Sequence, residues 1–279
     1  MGTTGSHSDG VPVVAYCVRR AAGPVLAERL ADERFYAAST VKLAVLAAAA
    51  RALEAGTLAL ETSVISTDTF RSDAPGAPDF RIDPDDLDEG MPAPGTPMTL
   101  ADVVERMIVV SSNEATNMVS DLVGLDAVNA ALTDAGATST TYGCKYSDFA
   151  AAALGATRDT TAGDLAALMS AVVTGALAGP EWASWMSATL GRQHDRLLTA
   201  HVPDGVPFGS KSGEVDGIRH DVAFVGEPGP DALVVAVCTR GYEVAGAEEA
   251  LRAIGSLAFF LANGDSSGAS RFGGCETPV

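Results

Sequence analysis

The chain has 279 residues, 47% of them hydrophobic and 19% charged, and carries a formal net charge of −18. That is enough apolar material for a sizeable core in one or two domains. The acidic balance excludes a phosphate-backbone partner and disfavours an anionic membrane, because like charges repel.

The N-terminal stretch 1–10 is polar and rich in Gly and Ser, with no basic region followed by an apolar run. No signal peptide is visible, so a cytoplasmic location is expected as encoded, and a secreted one if an export signal has been removed. Val11 to Val18 is apolar, β-branched and aromatic, and predicts a strand. A turn over Arg19 to Pro24 and a second strand over Val25 to Leu30 complete a hairpin. Ser39 to Ala55 predicts a helix that is apolar or Ala at nearly every position, hence a buried one, ended by Gly56. Residues 70–98 hold many Pro, Gly and Asp residues and read as a long acidic loop or an insertion with some local structure. Asp83, Asp85, Asp86, Asp88 and Glu89 crowd there without the glycine and terminal glutamate of a calcium loop, so a solvated segment is expected and no metal.

Helices follow over Thr99 to Val110, Asn113 to Leu122, Leu125 to Ala135 and Thr161 to Thr174, the first and last opened by Thr caps. Shorter ones are predicted at Glu181 to Leu190 and Asp195 to Ala200. Strands are predicted at Phe208 to Glu214, Asp221 to Gly226 and Ala232 to Thr239, then an amphipathic helix from Glu248 to Ala262. The Gly/Ser-rich remainder, 263–279, reads as a disordered tail. The expected fold is α+β. One antiparallel sheet, from 11–38 and 203–264, is flanked by helices, beside an all-helical lobe over 39–202. A cleft between two such lobes is the default place for chemistry.

Three short patterns carry that chemistry. Ser39 and Lys42 stand one turn apart at the start of the buried helix, so an amine can reach a hydroxyl. A neutral Lys is a base, and a Ser beside a base is a nucleophile. Singly, Ser39 is as well explained as a helix cap. Ser111 and Asn113, on a turn between helices, offer a hydroxyl and an amide. Lys211, Ser212 and Gly213 lie on a strand. Alternation puts Lys211 and Gly213 on one face and Ser212 on the other unless the strand is an edge beside the site, and the glycine would let a substrate approach the backbone. Helix-start N–H groups, that of Ser39 included, are natural oxyanion donors. Cys17, Cys144, Cys238 and Cys275 have no metal or redox spacing, nor have His7, His194, His201 and His220. No cofactor is expected.

In this order, Ser39-x-x-Lys42, Ser111-x-Asn113 and Lys211-Ser212-Gly213 resemble the signature elements of the serine β-lactamase and penicillin-binding protein superfamily, most closely class A β-lactamases and their serine hydrolase relatives. The flanks at Phe35 to Ala38, Met107 to Asn117, Arg158 to Thr161 and Arg219 to Asp221 agree, and the resemblance spans roughly residues 11 to 264. It implies that Ser39 is acylated, that Lys42 accepts or relays its proton, and that Ser111 passes a proton to the leaving nitrogen. It implies that Asn113 holds the substrate amide and that Lys211 and Ser212, helped by Arg219, bind a substrate carboxylate. The backbone N–H of Glu214 would complete the oxyanion hole.

Class A relatives place a deacylating Glu about a dozen residues before the Arg-Asp-Thr-Thr stretch. The corresponding segment here, Cys144 to Phe149, contains no Glu. Tyr146 or Ser147 takes its place, Asp148 is the one nearby carboxylate and a candidate deacylation base, though a loop cap or a salt bridge to Lys145 explains it better, and Lys145 is positioned to pair with Asp159. Slow hydrolysis of the acyl-enzyme is therefore implied. β-Lactam hydrolysis by a monomer acting on a small, carboxylate-bearing amide or ester is the first expectation. A peptidase, esterase or transacylase using the same acyl-enzyme is the alternative, and a binding or sensor domain the third.

Overall fold

The computed structural model describes residues 9–268. Chain order runs β1 (Val13–Arg20), β2 (Val25–Arg29) and β3 (Phe35–Tyr36), then a 3-10 turn (Ala38–Val41) and α1 (Lys42–Glu54). Short strands β4 (Ser63–Ile65), β5 (Thr69–Phe70), β6 (Phe80–Arg81) and β7 (Pro97–Thr99) follow. Next come α2 (Leu100–Val109), α3 (Asn113–Val123), α4 (Leu125–Asp134), α5 (Phe149–Ala153), β8 (Asp159–Thr160), α6 (Ala162–Thr174) and α7 (Pro180–Leu190). Strands β9 (Phe208–Val215), β10 (Ile218–Val225) and β11 (Leu233–Arg240) and helix α8 (Val244–Gly268) close the described chain.

Both ends of the chain build one antiparallel sheet in the order β2-β1-β11-β10-β9. Its centre is covered on both faces, which is why β10 is buried at every position. Alternation sends Val222, Phe224, Val234, Ala236 and Cys238 into the core shared with the helices. Ala223, Val225, Val235 and Val237 pack against Leu251 and Ala258 of α8 on the other side. Helix α1 runs through the larger core, buried from Lys42 to Ala50. Its small side chains admit α2, α3, α4, α6 and α7 around it. Thr99 opens α2 with a capping box to Asp102, and Thr161 caps α6 through the Asp164 N–H, as the spacing predicts.

The structure departs from the sequence expectations in several places. α1 begins at Lys42, not Ser39, because the chain enters through the 3-10 turn. Asp195 to Ala200 forms turns and no helix; the Leu198 N–H is bound by the buried Asp221 carboxylate at 3.0 Å, which holds the segment against β10. The acidic stretch takes the second of its two readings and carries local structure: β5 pairs with β6, and Asp88 is gripped by Arg106 of α2. Helix α8 starts four residues before Glu248 and continues through Gly268, past the expected start of the tail. The expectations for 1–8 and 269–279 lie outside the described residues. Cys17, Cys144 and Cys238 are free and buried; Cys275 lies outside the described residues.

Candidate active site

Ser39 sits in the 3-10 turn, half-buried, immediately after Ala38 in the left-handed region at φ 49°. A non-glycine residue there stores strain and needs surroundings that enforce it. Ser39 does no capping work: Ala37 is the N-cap of the turn, and no side chain caps it. Lys42 is fully buried. Burial, with the positive charges of Lys211 and Arg158, drives its pKa well below the usual lysine range. Its amine does not bond to Ser39 Oγ in this conformation. It donates instead to the turn between α2 and α3: to the Ser111 carbonyl, to Asn113 Oδ1 at 2.7 Å and to Ser111 Oγ at 3.2 Å.

That turn is itself strained, with Ser111 at φ 61°. The strain aims the Ser111 hydroxyl between two amines, Lys42 Nζ at 3.2 Å and Lys211 Nζ at 3.1 Å. Ser112 caps α3 by accepting from the Ala115 N–H at 3.1 Å. Asn113 is thereby released from capping and turns its side chain to the site.

β9 is the edge strand of the sheet and lies along the turn that holds Ser39. The edge position is what brings Lys211, Ser212, Gly213 and Glu214 together onto one cavity wall despite strand alternation. Lys211 is fully buried, and desolvation pushes its pKa down to about 8. The Ser212 N–H points off the sheet to Gln193 Oε1 at 3.1 Å. Alternation then points the Glu214 N–H off the same edge. Gly213 answers a packing demand: a Cβ there would stand 2.9 Å from the Ser39 nitrogen and 3.0 Å from that of Thr40. It is the protein's own backbone that comes close.

Asp148 takes the place of a loop cap and not of a base, and Lys145 stands elsewhere than the sequence suggests. Asp148 is buried and caps α5. Its carboxylate accepts from Ser72 Oγ at 2.8 Å, the Asp73 N–H at 2.6 Å and the Ala151 N–H at 3.1 Å, and it lines neither cavity beside Ser39. Three donors consume its acceptor capacity in folding the loop. Lys145 bridges Asp73 and Asp121, each at 2.9 Å, and not Asp159, which lies 4.0 Å from Arg34. Arg219 is enclosed by the carboxylates of Glu214, Asp195 and Glu248. His220 is a buried connector whose Nδ1 accepts from the Thr239 N–H at 3.1 Å, which leaves Nε2 to donate to the Tyr36 carbonyl at 3.0 Å.

Tyr146 is the residue the sequence leaves ambiguous. Its backbone is held by Asn117, whose side chain donates to its carbonyl at 2.9 Å and accepts from its N–H at 2.8 Å. Its hydroxyl donates to the Ala38 carbonyl at 2.8 Å, next to Ser39. Its ring lies 4.5 Å from Lys42 Nζ and 4.3 Å from the Arg158 guanidinium. Burial pushes the phenol well above its ordinary pKa, so it is neutral. The one available signal was a bulky aromatic beside a lysine in a segment otherwise rich in small residues.

Two cavities flank Ser39. One, about 420 Å³, is lined by Ser111, Lys211, Glu214, Asp195 and Arg219. The other, about 670 Å³, is lined by Asn113, Tyr146, Arg158 and Asp86. A nucleophile candidate at their junction, amines of depressed pKa and outward N–H groups are what acyl transfer requires. No group of three or more His, Cys, Asp or Glu among the described residues could hold a metal ion.

The family model described as "Beta-lactamase enzyme family" matches residues 8–261. A β-lactamase from Sphaerobacter thermophilus superposes with a TM-score of 0.75 at 29% identity, over 90% of this chain and 91% of that one. A structure named PBP-A gives 0.71 at 22%, over 91% of each chain. A β-lactamase from Xanthomonas campestris gives 0.71 at 22%, over 95% and 94%. No curated protein sequence matches the chain.

Proposed function

The chain belongs to the beta-lactamase enzyme family, and we propose that it is a serine hydrolase that is acylated at Ser39, opens β-lactam amides and releases the product slowly. The observation that carries this reading is the Ser111 hydroxyl held between two buried amines of lowered pKa, beside Ser39. Ser39 Oγ attacks the carbonyl carbon, and its proton passes, directly or through a water, to neutral Lys42. The N–H groups of Ser39 and Glu214 hold the oxyanion. As the C–N bond breaks, the nitrogen takes the Ser111 hydroxyl proton, and Ser111 is reprotonated from the Lys42 ammonium. Lys42 ends neutral again. Asn113 faces the acyl side, and Lys211 keeps Ser111 oriented.

Release of the acyl group needs a base for water. Where class A relatives carry a Glu, this chain sets the neutral phenol of Tyr146, and Asp148 is bound up in the loop. That arrangement also favours a second reading, in which the same acyl-enzyme serves a peptidase, esterase or transacylase and β-lactams are slow substrates.

Intact mass after incubation with benzylpenicillin tests the reading. The expected result is an adduct of the whole penicillin on Ser39 that outlasts removal of excess reagent, and none on Ser39→Ala. Fast turnover with no trapped adduct would refute slow release. Absence of adduct, turnover and ester cleavage together would refute acylation altogether.

A further inference from the structure

Resting on the acyl-enzyme reading, one feature of the Lys211 end of the cleft limits what can enter it. Arg219 on β10 stands directly opposite Glu214 on β9, which places both side chains on one face of the sheet. The Arg219 side chain is only 9% exposed. Its Nη1 donates to Glu214, and its Nη2 lies 2.8 Å from Asp195 and 3.0 Å from Glu248. Its Nε is buried without a hydrogen-bond partner. The other cation, Lys211, is fully buried and donates to Ser111 Oγ at 3.1 Å and the Ser212 carbonyl at 2.8 Å. Glu248 is shared with Arg252 at 2.8 Å, so the charges of this end balance only when every one of them is paired, and the Arg219 guanidinium is already spent on Glu214 and Asp195. The Glu214 side chain, 48% exposed, presents its charge to the cavity.

We propose that Glu214 is a specificity-determining residue. Its carboxylate takes the guanidinium that would otherwise hold a substrate carboxylate, so the enzyme selects amide and ester acyl donors that are uncharged on the leaving-group side. Glu214 also serves the oxyanion through its backbone N–H, so the ratio between a charged and an uncharged probe, and not either rate alone, reads its side chain. An incoming anion meets a like charge in a low-dielectric cleft, and like-charge juxtaposition discriminates strongly between otherwise equal ligands.

The test compares benzylpenicillin with its methyl ester, probes that differ in that charge and in one methyl group. Acylation rates are read by intact mass for the wild type, Glu214→Gln and Asp195→Asn. Wild type is expected to react faster with the ester. Glu214→Gln, which keeps the backbone N–H and the side-chain size, should raise the ratio of the free-acid rate to the ester rate by about tenfold. Asp195→Asn should move the ratio in the same direction, and it carries the test if Glu214→Gln folds poorly. A wild-type preference for the free acid, or a ratio unchanged in both folded variants, overturns the proposal. No adduct from either probe on any of the three proteins is a different result: it removes the acyl-enzyme reading itself.

Discussion

Tyr146→Glu should turn a long-lived acyl-enzyme into a short-lived one. The phenol stands beside Ser39, and a glutamate side chain is shorter, so its carboxylate would leave room for a water between itself and the ester carbonyl. The site would keep that carboxylate ionised. The Tyr146 ring lies 4.3 Å from the Arg158 guanidinium, so a negative charge there gains a cationic neighbour, and the neutral Lys42 amine 4.5 Å away can donate a hydrogen bond to it. The cost is the hydrogen bond to the Ala38 carbonyl, about 1 kcal/mol, and part of the ring's packing, about 2–3 kcal/mol. A domain stable by about 5–15 kcal/mol tolerates that sum. A positioned general base contributes about 10²- to 10⁴-fold, so the adduct half-life should fall by at least roughly 100-fold. Decay of the penicillin adduct, followed by intact mass after excess reagent is removed, measures it. Tyr146→Phe is the control and should leave the half-life long. A folded Tyr146→Glu protein that acylates at the wild-type rate yet keeps the wild-type half-life would refute the reasoning.

Further outcomes follow from the buried charges. The Lys211 amine, with its pKa pushed down to about 8, holds the Ser111 hydroxyl as an ammonium below that value. Acylation rates against pH should therefore decline above about pH 8, and Lys211→Arg should remove that alkaline limb. Burial raises the Asp221 carboxyl to about 7. The folded protein thus keeps a proton that the unfolded chain sheds above its ordinary value near 3.8, and stability falls as pH rises from about 4 to 7. Asp221→Asn should abolish that slope and gain roughly 4 kcal/mol at pH 8 but little at pH 4, as read by urea unfolding. Lys145→Met breaks the bridge to Asp73 and Asp121 and leaves the largely buried Asp73 unpaired. It should cost about 2–3 kcal/mol and speed amide hydrogen exchange over 144–149, the segment that carries Tyr146.

Much of the fold was legible because its signals are local. The β-branched run at β1, the Thr caps of α2 and α6 and the unbroken apolar face of α1 follow from residue type and period. The three catalytic-type patterns were legible for the same reason. What the sequence withheld was relational. Nothing in Lys211 to Glu214 states that β9 lies at the sheet edge, and the edge is what puts four consecutive residues on one cavity wall. Nothing in Asp148 states that Ser72, Asp73 and Ala151 converge on its carboxylate from segments up to 76 residues away. Arg219 reads in the sequence as either a substrate contact or a surface ion pair, and its partners Asp195 and Glu248 are distant along the chain.

The backbone makes the same distinction in sharper form. Four non-glycine residues among those described have positive φ: Leu30, Ala38, Ser111 and Ser147. Local preference would put glycine at such places. Three of the four border the cleft, and each sits one residue from, or is itself, a group the chemistry uses. Ala38 precedes the proposed nucleophile and takes the Tyr146 hydroxyl on its carbonyl. Ser111 must keep its hydroxyl between Lys42 and Lys211, which glycine could not supply. Ser147 follows Tyr146 and lies within 3.2 Å of the Asp83 N–H. Strain of this kind persists only where tertiary contacts over-determine the conformation. The positions where local rules fail are thus those where the fold spends stability to hold Ser39, Ser111 and Tyr146 in place.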